Sequence, residues 1–229
     1  MVVVLIKDGL WFDELPVDPM NVQQAYVDWA ETYDSDRNLT RDLDQQITKA
    51  FLEGFRCNSI LEVGCGTGKN TALLAQIGEQ VQAIDFAAAM IQQARAKYTY
   101  ENVTFSLADI TERWPVADTS VDLITCNLVL EHISDLAFVF AEAGRALING
   151  GRLFVSELHP FRQYQGVQAR FERDAETIAI PAFVHHISDF LAAAAQADLS
   201  LVSLNEWWHA EDENKPPRLV TFMFRKRIS

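Results

Sequence analysis

Ile60-Leu61-Glu62-Val63-Gly64-Cys65-Gly66-Thr67-Gly68 decides how the rest of the chain is read. A short apolar run ends in an acidic residue and passes straight into Gly-x-Gly-x-Gly, and a helical pattern follows. Glycines are needed there because the turn is tight and a ligand must approach the backbone closely, which any Cβ would block. Two phosphate-binding loops can be tested by counting. The dinucleotide fingerprint GxGxxG requires glycine at 69, where Lys69 stands. A Walker loop GxxxxGK[ST] ending at Gly68-Lys69 requires glycine at 63 and a hydroxyl at 70, where Val63 and Asn70 stand. Neither fits.

Outward from this motif the chain alternates. The strand at 59–63 is followed by a helix over 69–77 and a strand over 80–85. A helix then carries Met90, Ile91, Ala94 and Tyr98 on one face, and a strand follows over 102–106. After a loop with Trp114-Pro115 come a buried strand at 121–126, a helix bearing Leu136, Val139, Phe140, Ala143 and Leu147 that stops at Gly150-Gly151, and a fifth strand at 152–156. Such alternation means a parallel sheet with helices on both faces. The ending differs: a helix around 188–197, then two apolar runs, 199–208 and 218–225, around a polar loop with Pro216-Pro217. These read as an antiparallel hairpin at one sheet edge.

Ahead of the motif, Val22, Ala25, Tyr26, Trp29, Ala30 and Tyr33 form one stripe of a helix over 21–34 with Asn21 as its cap. A second helix, capped by Thr40, carries Leu43, Ile47, Ala50 and Phe51 and stops at Gly54. Residues 159–186, without a sheet role, form a connection too long to be incidental and read as a lid.

With 229 residues, 49% of them hydrophobic, the chain can bury one sizeable core. Its 32 acidic against 19 basic residues give a net charge of −13. Phosphate backbones require clustered Lys and Arg, and only Arg225-Lys226-Arg227 offers any, so nucleic acid is disfavoured as a partner. Three cysteines, Cys57, Cys65 and Cys126, lack CxxC spacing, which argues against disulfides or structural zinc and for a reducing, cytoplasmic setting with no metal. The run Val2-Val3-Val4-Leu5-Ile6 is too short for a signal peptide and reads as a short strand or a poorly ordered start. No apolar stretch approaches a membrane span.

The acidic residues place the ligand. Glu62 beside the glycine turn would repel a pyrophosphate and could reach an ammonium. Asp85 ends the second strand, where a carboxylate meets the two hydroxyls of a ribose. Asp109-Ile110 follows the third strand, within reach of an adenine amino group, and Asn127 follows the fourth. Each alone could be a helix cap or turn residue. Together they fall at the carboxyl ends of the strands, where open α/β sheets bind ligands. The pattern suits a nucleoside with an amino-acid tail.

ILEVGCGTG, VQAIDFAAAM, LADI, CNLVLEHI and ALINGGRLFVSELHP together resemble the class I S-adenosylmethionine-dependent methyltransferases of small-molecule type. WAETYDSDRN resembles the N-terminal helical segment of biotin-pathway and ubiquinone-pathway methyltransferase relatives. The resemblance spans about residues 22–160. It implies a Rossmann-like, doubly wound, mostly parallel seven-stranded sheet with the antiparallel C-terminal hairpin. The divisions are an N-terminal helical cap over 1–56, a cofactor-binding core over 57–158, the lid over 159–186 and the closing helix and hairpin over 187–229. It further implies S-adenosylmethionine as cofactor, with Gly64, Gly66 and Gly68 along the methionine portion, Asp85 at the ribose, Asp109 at the adenine and Tyr33 closing over it.

Methyl transfer from a sulfonium is an in-line displacement that depends mainly on orientation. An acceptor with a proton to lose also needs a base. His132, His159 and Glu157 are the candidates, with His185 and His186 approaching from the lid and the lid arginines suited to a carboxylate or phosphate. For His132, in LEHI, a structural role competes. A catalytically idle S-adenosylmethionine-binding protein and a nucleotide-dependent oxidoreductase remain as alternative functions. The acceptor, the methylated atom and the oligomeric state are not legible.

Overall fold

A computed structural model describes residues 19–173 and 176–228; the run at 2–6 lies outside the described residues. Helices α1 (Pro19–Trp29) and α2 (Leu39–Leu52) precede β1 (Cys57–Val63), α3 (Thr71–Ile77), β2 (Gly78–Asp85), α4 (Ala88–Lys97) and β3 (Val103–Leu107). There follow β4 (Val121–Asn127), a 3₁₀ turn (Leu130–His132), α5 (Leu136–Ala146) and β5 (Leu147–Leu158). A short α6 (Pro160–Gln163) and the hairpin of β6 (Arg170–Arg173) and β7 (Glu176–Ala179) lead to α7 (Ile187–Gln196), β8 (Leu199–Trp207) and β9 (Leu219–Lys226).

Seven strands make one sheet in the order β3-β2-β1-β4-β5-β9-β8. The first five pair in parallel, and β9 runs antiparallel to both its neighbours. The expected edge hairpin is therefore present, with its returning strand slotted between β5 and β8. The central strands carry apolar runs such as Ile60-Leu61, Leu123-Ile124 and Leu153-Phe154-Val155 because both faces are covered there. Ile60, Leu123, Phe154 and Met223 pack with Leu52, Leu74 and Ile77 on one side. Their alternates Leu61, Ile124, Val155, Phe222 and Phe224 pack with Phe140, Ala143, Phe190 and Ala194 on the other.

Where the structure departs from the pattern reading, local hydrogen bonds decide. Helix α1 starts at Pro19, ahead of the expected Asn21 cap, and ends at Trp29. The Trp29 indole N–H donates to Asp36 at 2.7 Å, and Tyr33 leaves the helix on the turn that follows. Helix α2 is capped by Asn38, whose Oδ1 accepts from the Thr40 and Arg41 amides at 3.0 Å, rather than by Thr40. The Thr40 hydroxyl instead accepts from Arg218. Gly150-Gly151 lie inside β5, past the end of α5 at Ala146, near the register shift against β4 between Val121 and Leu123.

Residues 159–186 are more structured than the sequence suggested. Phe171 and Ile180 are buried against Val22, Ala25 and Trp29, with the Phe171 and Trp29 rings stacked 5.5 Å apart. Arg173 reaches Asp28 of α1 at 2.5 Å. The segment is thus packed onto the N-terminal helix.

Candidate active site

The parallel register sets the strand ends level. Val63 pairs with Ile84 and Cys126, Asp85 with Leu107, and Asn127 with Ser156. The turn after β1, the end of β2 and the loops after β3 and β4 therefore share one rim. They border a crevice lined by Gly64, Gly66, Asp85, Asp109, Ile110 and Asn127, with Val22, Tyr26, Tyr33, His132 and Phe183 completing the wall. Except for Gly68, which packs against Tyr98 and Ala94 and lines neither space, the motif residues that sequence reasoning placed at the strand ends come together here, and Glu62 borders the adjoining recess with Gly64, Gly66, Asn127 and Arg41.

The glycines of the turn do different work. Gly64 has φ +70, and a Cβ there would meet the Val129 side chain at 2.2 Å. The fold itself demands that glycine. Gly66 has φ +52, yet nothing in the protein lies within 4 Å of where its Cβ would sit. The free space belongs to whatever approaches the turn. The amides of Gly64 and Cys65 are tied to the Ile84 carbonyl at 2.9 and 3.0 Å, which fixes the turn to the end of β2.

Asp85 couples that turn to the next helix. Its Oδ2 accepts from the Gly66 amide and its Oδ1 from the Ala87 amide, both at 2.8 Å. Burial lifts its pKa to about 6 against these bonds. Each oxygen has further acceptor capacity, so the carboxylate can still take hydroxyl donors. Glu62 accepts from the Thr71 hydroxyl at 2.5 Å, and burial, with Asp85 and Asp44 nearby, raises its pKa to about 8. A ligand cation would bring it back to the carboxylate form. Asp109 is exposed and accepts from the Thr111 amide and hydroxyl, while Ile110 beside it is buried. The Asn127 amide donates to Asp44 and Thr48 of α2 at 2.8 Å, so it joins the helical cap to the rim.

Arg41 and Asp44 were not picked out by sequence reasoning. Arg41 is 7% exposed, its guanidinium lies 4.0 Å from the Tyr33 ring, and it donates to the carbonyls of Tyr33 and Asp36. Its Nε has no hydrogen-bond partner among the described residues. Buried cations are normally paired with an anion, and here both recorded acceptors are neutral. Among the described residues the Arg41 guanidinium thus forms no direct ion pair, although it shares the recess beside the glycine turn with the Glu62 and Asp44 carboxyls. A charged residue amid the polar face of an amphipathic helix gives no sign in the sequence that it is buried.

The candidate bases separate. His132 borders the crevice, with Nε2 2.9 Å from the Tyr26 hydroxyl and Nδ1 2.8 Å from the Pro181 carbonyl. Burial lowers its pKa to about 4. His159 is fully buried and away from the crevice lining. Its Nδ1 accepts from the Phe161 amide, capping α6, and its Nε2 faces Glu206 at 2.8 Å. The structure therefore does not bring His159 to the rim. Glu157 is buried too, its Oε1 accepting from the Val129 and Leu130 amides, with its pKa raised by burial to about 8. His185 is turned to the Ile133 carbonyl at 2.7 Å, and His186 contacts Tyr164.

Residues 61–155 match the model of a methyltransferase domain family. Over 177 residues the chain is 32% identical to a malonyl-[acyl-carrier protein] O-methyltransferase of Xylella fastidiosa (strain M23), covering 76% of this chain and 57% of that protein. It is 31% identical over 159 residues to a ubiquinone biosynthesis O-methyltransferase of Xanthomonas oryzae pv. oryzae (strain PXO99A), covering 68% of this chain and 64% of that one. The chain thus spans about three-fifths of the curated relatives it matches. The crystal structure of an S-adenosylmethionine-dependent methyltransferase from Mesorhizobium loti superimposes with a TM-score of 0.66 at 19% identity, over 79% of this chain and 96% of that one. At that identity the likeness is one of fold.

Proposed function

We propose that the chain, whose residues 61–155 match a methyltransferase domain family and which is 32% identical to a malonyl-[acyl-carrier protein] O-methyltransferase, transfers a methyl group from S-adenosylmethionine to a small-molecule acceptor. The observation that carries this reading is the rim itself: a glycine turn with open space at Gly66, the Asp85 carboxylate and the Asp109-Ile110 loop border one crevice. The donor set fits an aminoacyl nucleoside. Asp85 takes the ribose hydroxyls, Asp109 and Ile110 the adenine, and Tyr33 borders the donor from above. In the adjoining recess Glu62 and Asp44 suit the ammonium, while Arg41 suits the carboxylate it otherwise lacks. A pyrophosphate would face the Glu62 and Asp85 carboxyls instead.

The bound donor supplies a methyl group activated by a positively charged sulfur. The chain supplies position. Asp85 holds the turn and the following helix at once, and the N-terminal cap is clamped over the glycines, with Thr67 donating to Asp34 at 2.7 Å and Lys69 paired with Asp42 at 2.7 Å. Residues 159–186 serve as the lid: Phe183 walls the crevice, and the β6 region walls a second cavity beyond Tyr26. Three free cysteines suit a cytoplasmic setting, and no helix among the described residues is long and apolar enough to cross a membrane.

The test is equilibrium binding followed by label transfer. S-adenosylhomocysteine, the demethylated product, should bind at micromolar levels while NADH does not. Tight NADH binding with no heat from S-adenosylhomocysteine would reverse the assignment in favour of an oxidoreductase. Binding without transfer of label to any small molecule would favour the idle binding protein.

A further inference from the structure

Tyr26 stands where two cavities meet. It borders the crevice with His132, and it also borders a second cavity of about 470 Å³ walled by Trp29, Arg41, Leu128, Glu131 and Phe171. That volume lies in the range of small-molecule sites. The phenol ring is held by its neighbours, with Trp29 stacked at 6.0 Å, Phe86 edge-on at 6.3 Å and the His132 ring edge-on at 5.4 Å.

The hydrogen bonding here has one direction. The Pro181 carbonyl can only accept, so the hydrogen on the His132 ring is at Nδ1. Nε2 is then a bare lone pair, and the Tyr26 hydroxyl, 2.9 Å away, donates to it. The partner is a base, in a tautomer set by the 180–186 segment. Glu131 lies 3.9 Å from Nε2, placed to balance a charge that appears on the ring, and its Oε2 has no hydrogen-bond partner among the described residues.

We propose that Tyr26 is the catalytic proton acceptor and that His132 acts through it, for an acceptor bound in the second cavity whose methylated atom carries a proton at neutral pH. That describes a hydroxyl or an amine, and not a carboxylate or a thioether. The proposal rests on the methyltransferase reading above. The acceptor's X–H proton passes to the Tyr26 oxygen as the Tyr26 proton passes to His132 Nε2. The electron pair left on X forms the bond to the methyl carbon while the carbon–sulfur bond breaks, its electrons staying on sulfur. The imidazolium then releases its one proton to solvent on opening, and Tyr26 is again a neutral phenol. Burial lowers the His132 pKa to about 4, so the ring is neutral with Nε2 bare throughout the physiological range, and the Glu131 carboxyl 3.9 Å away must stabilise the imidazolium as it forms.

The titratable groups facing the pair are Tyr33, Glu131, Asp85 and Glu157 around Tyr26, and Glu131 around His132.

The first arm of the test needs no acceptor. In ¹⁵N-histidine NMR of the protein with S-adenosylhomocysteine, His132 should carry its proton on Nδ1, with Nε2 bare, from about pH 6 to 8. A proton on Nε2 overturns the proposal, since Tyr26 would then be the receiving partner. The second arm uses labelled S-adenosylmethionine and a deproteinised bacterial metabolite extract. Tyr26→Phe, which keeps the ring packing, and His132→Asn should each cut label transfer roughly 100-fold or more, with S-adenosylhomocysteine affinity within about threefold of the parent. In His132→Asn the residual rate should climb about tenfold per pH unit as hydroxide replaces the lost base, where the parent stays flat; a role in packing alone would leave that slope unchanged. Variants that keep a third or more of the rate, or a labelled product that is a carboxyl ester, overturn the proposal. A parent protein that binds S-adenosylhomocysteine but labels nothing in the extract also overturns it. If even the binding is absent, the methyltransferase reading has failed first.

Discussion

Asp85→Asn separates what the carboxylate does for the ligand from what it does for the fold. In the unliganded protein the anion sits at a net disadvantage: lifting a carboxyl from its ordinary 3.8 to about 6 corresponds to about 3 kcal/mol at 1.36 kcal/mol per pH unit, even with the Gly66 and Ala87 amides bound to it. Asparagine removes that penalty but keeps only one acceptor oxygen, leaving one amide facing an NH₂, at about 1–3 kcal/mol. The two effects nearly cancel, so the unfolding free energy at about pH 8 should change by no more than about 2 kcal/mol. Affinity should not be spared. Charged hydrogen bonds to two ribose hydroxyls contribute roughly 1.5–3 kcal/mol each, and losing about 1.5–4 kcal/mol weakens S-adenosylhomocysteine binding about 10- to 1000-fold. Calorimetric titration reads the second quantity and urea unfolding the first. Affinity within twofold of the parent would refute the ribose assignment. A stability loss above about 4 kcal/mol would refute the reasoning that burial of the charge is costly.

Gly64→Ala and Gly66→Ala should part company: the first, driving a methyl group against Val129, should lower the melting temperature clearly, whereas the second should cost only about 1–2 kcal/mol of left-handed strain and yet abolish ligand binding. Thermal scans and titration on both variants check this, and equal melting losses would show that the space over Gly66 has no bearing on a ligand. Arg41→Ala should weaken binding of S-adenosylhomocysteine at least tenfold but leave affinity for adenosine within about threefold, because only the former has the carboxylate; equal losses for both would place Arg41 elsewhere. Glu62 and Glu157 with pKa near 8, Glu131 near 7 and Asp85 near 6 bind protons in the folded state that the unfolded chain has already released, so their stabilisation is present at low pH and fades as pH rises through these values. His132 at about 4 acts the other way below its ordinary 6.5, so the unliganded protein should melt higher at about pH 6.5 than at about 8.5 in calorimetric scans, and a higher melting point at 8.5 would contradict the burial of these carboxyls.

The strands were legible because their apolar runs are short and uninterrupted, and because the glycine turn gives the alternation a starting point. Asp85, Asp109 and Asn127 could be placed on one rim without coordinates, since parallel strands in register bring their carboxyl ends level whatever the side chains are. Boundaries were less secure wherever a side chain captured a backbone or indole N–H. Nothing in the apolar stripe from Val22 to Tyr33 shows that Asp36 takes the Trp29 indole and turns the chain off the helix. Likewise, Gly150-Gly151 punctuates a strand rather than ending a helix, because β5 starts its pairing with β4 before them.

What stayed hidden in the candidate site shares a physical character. Arg41 looks like one more charge on the polar side of α2; only the packing of Tyr33 and Trp29 around it reveals a buried cation that makes no direct ion pair among the described residues. His132 and His159 are both candidate bases in the sequence, each near a strand end, and a structural role weighs more heavily there for His132. They are told apart by partners far away in the chain. Phe161 and Glu206 occupy both nitrogens of His159, whereas Pro181 fixes the His132 tautomer and leaves its other nitrogen to Tyr26, 106 residues away. Tyr26 itself belongs to the stripe that periodicity assigns wholly to the core. A stripe position becomes a functional one only when the surface it packs against is another segment's polar edge, and that depends on how the 159–186 segment folds back onto α1. The donor-binding half of the site, built from consecutive strand ends, is therefore written locally. The acceptor half, built from α1, the loop after β4 and the 159–186 segment, is written only in their contact.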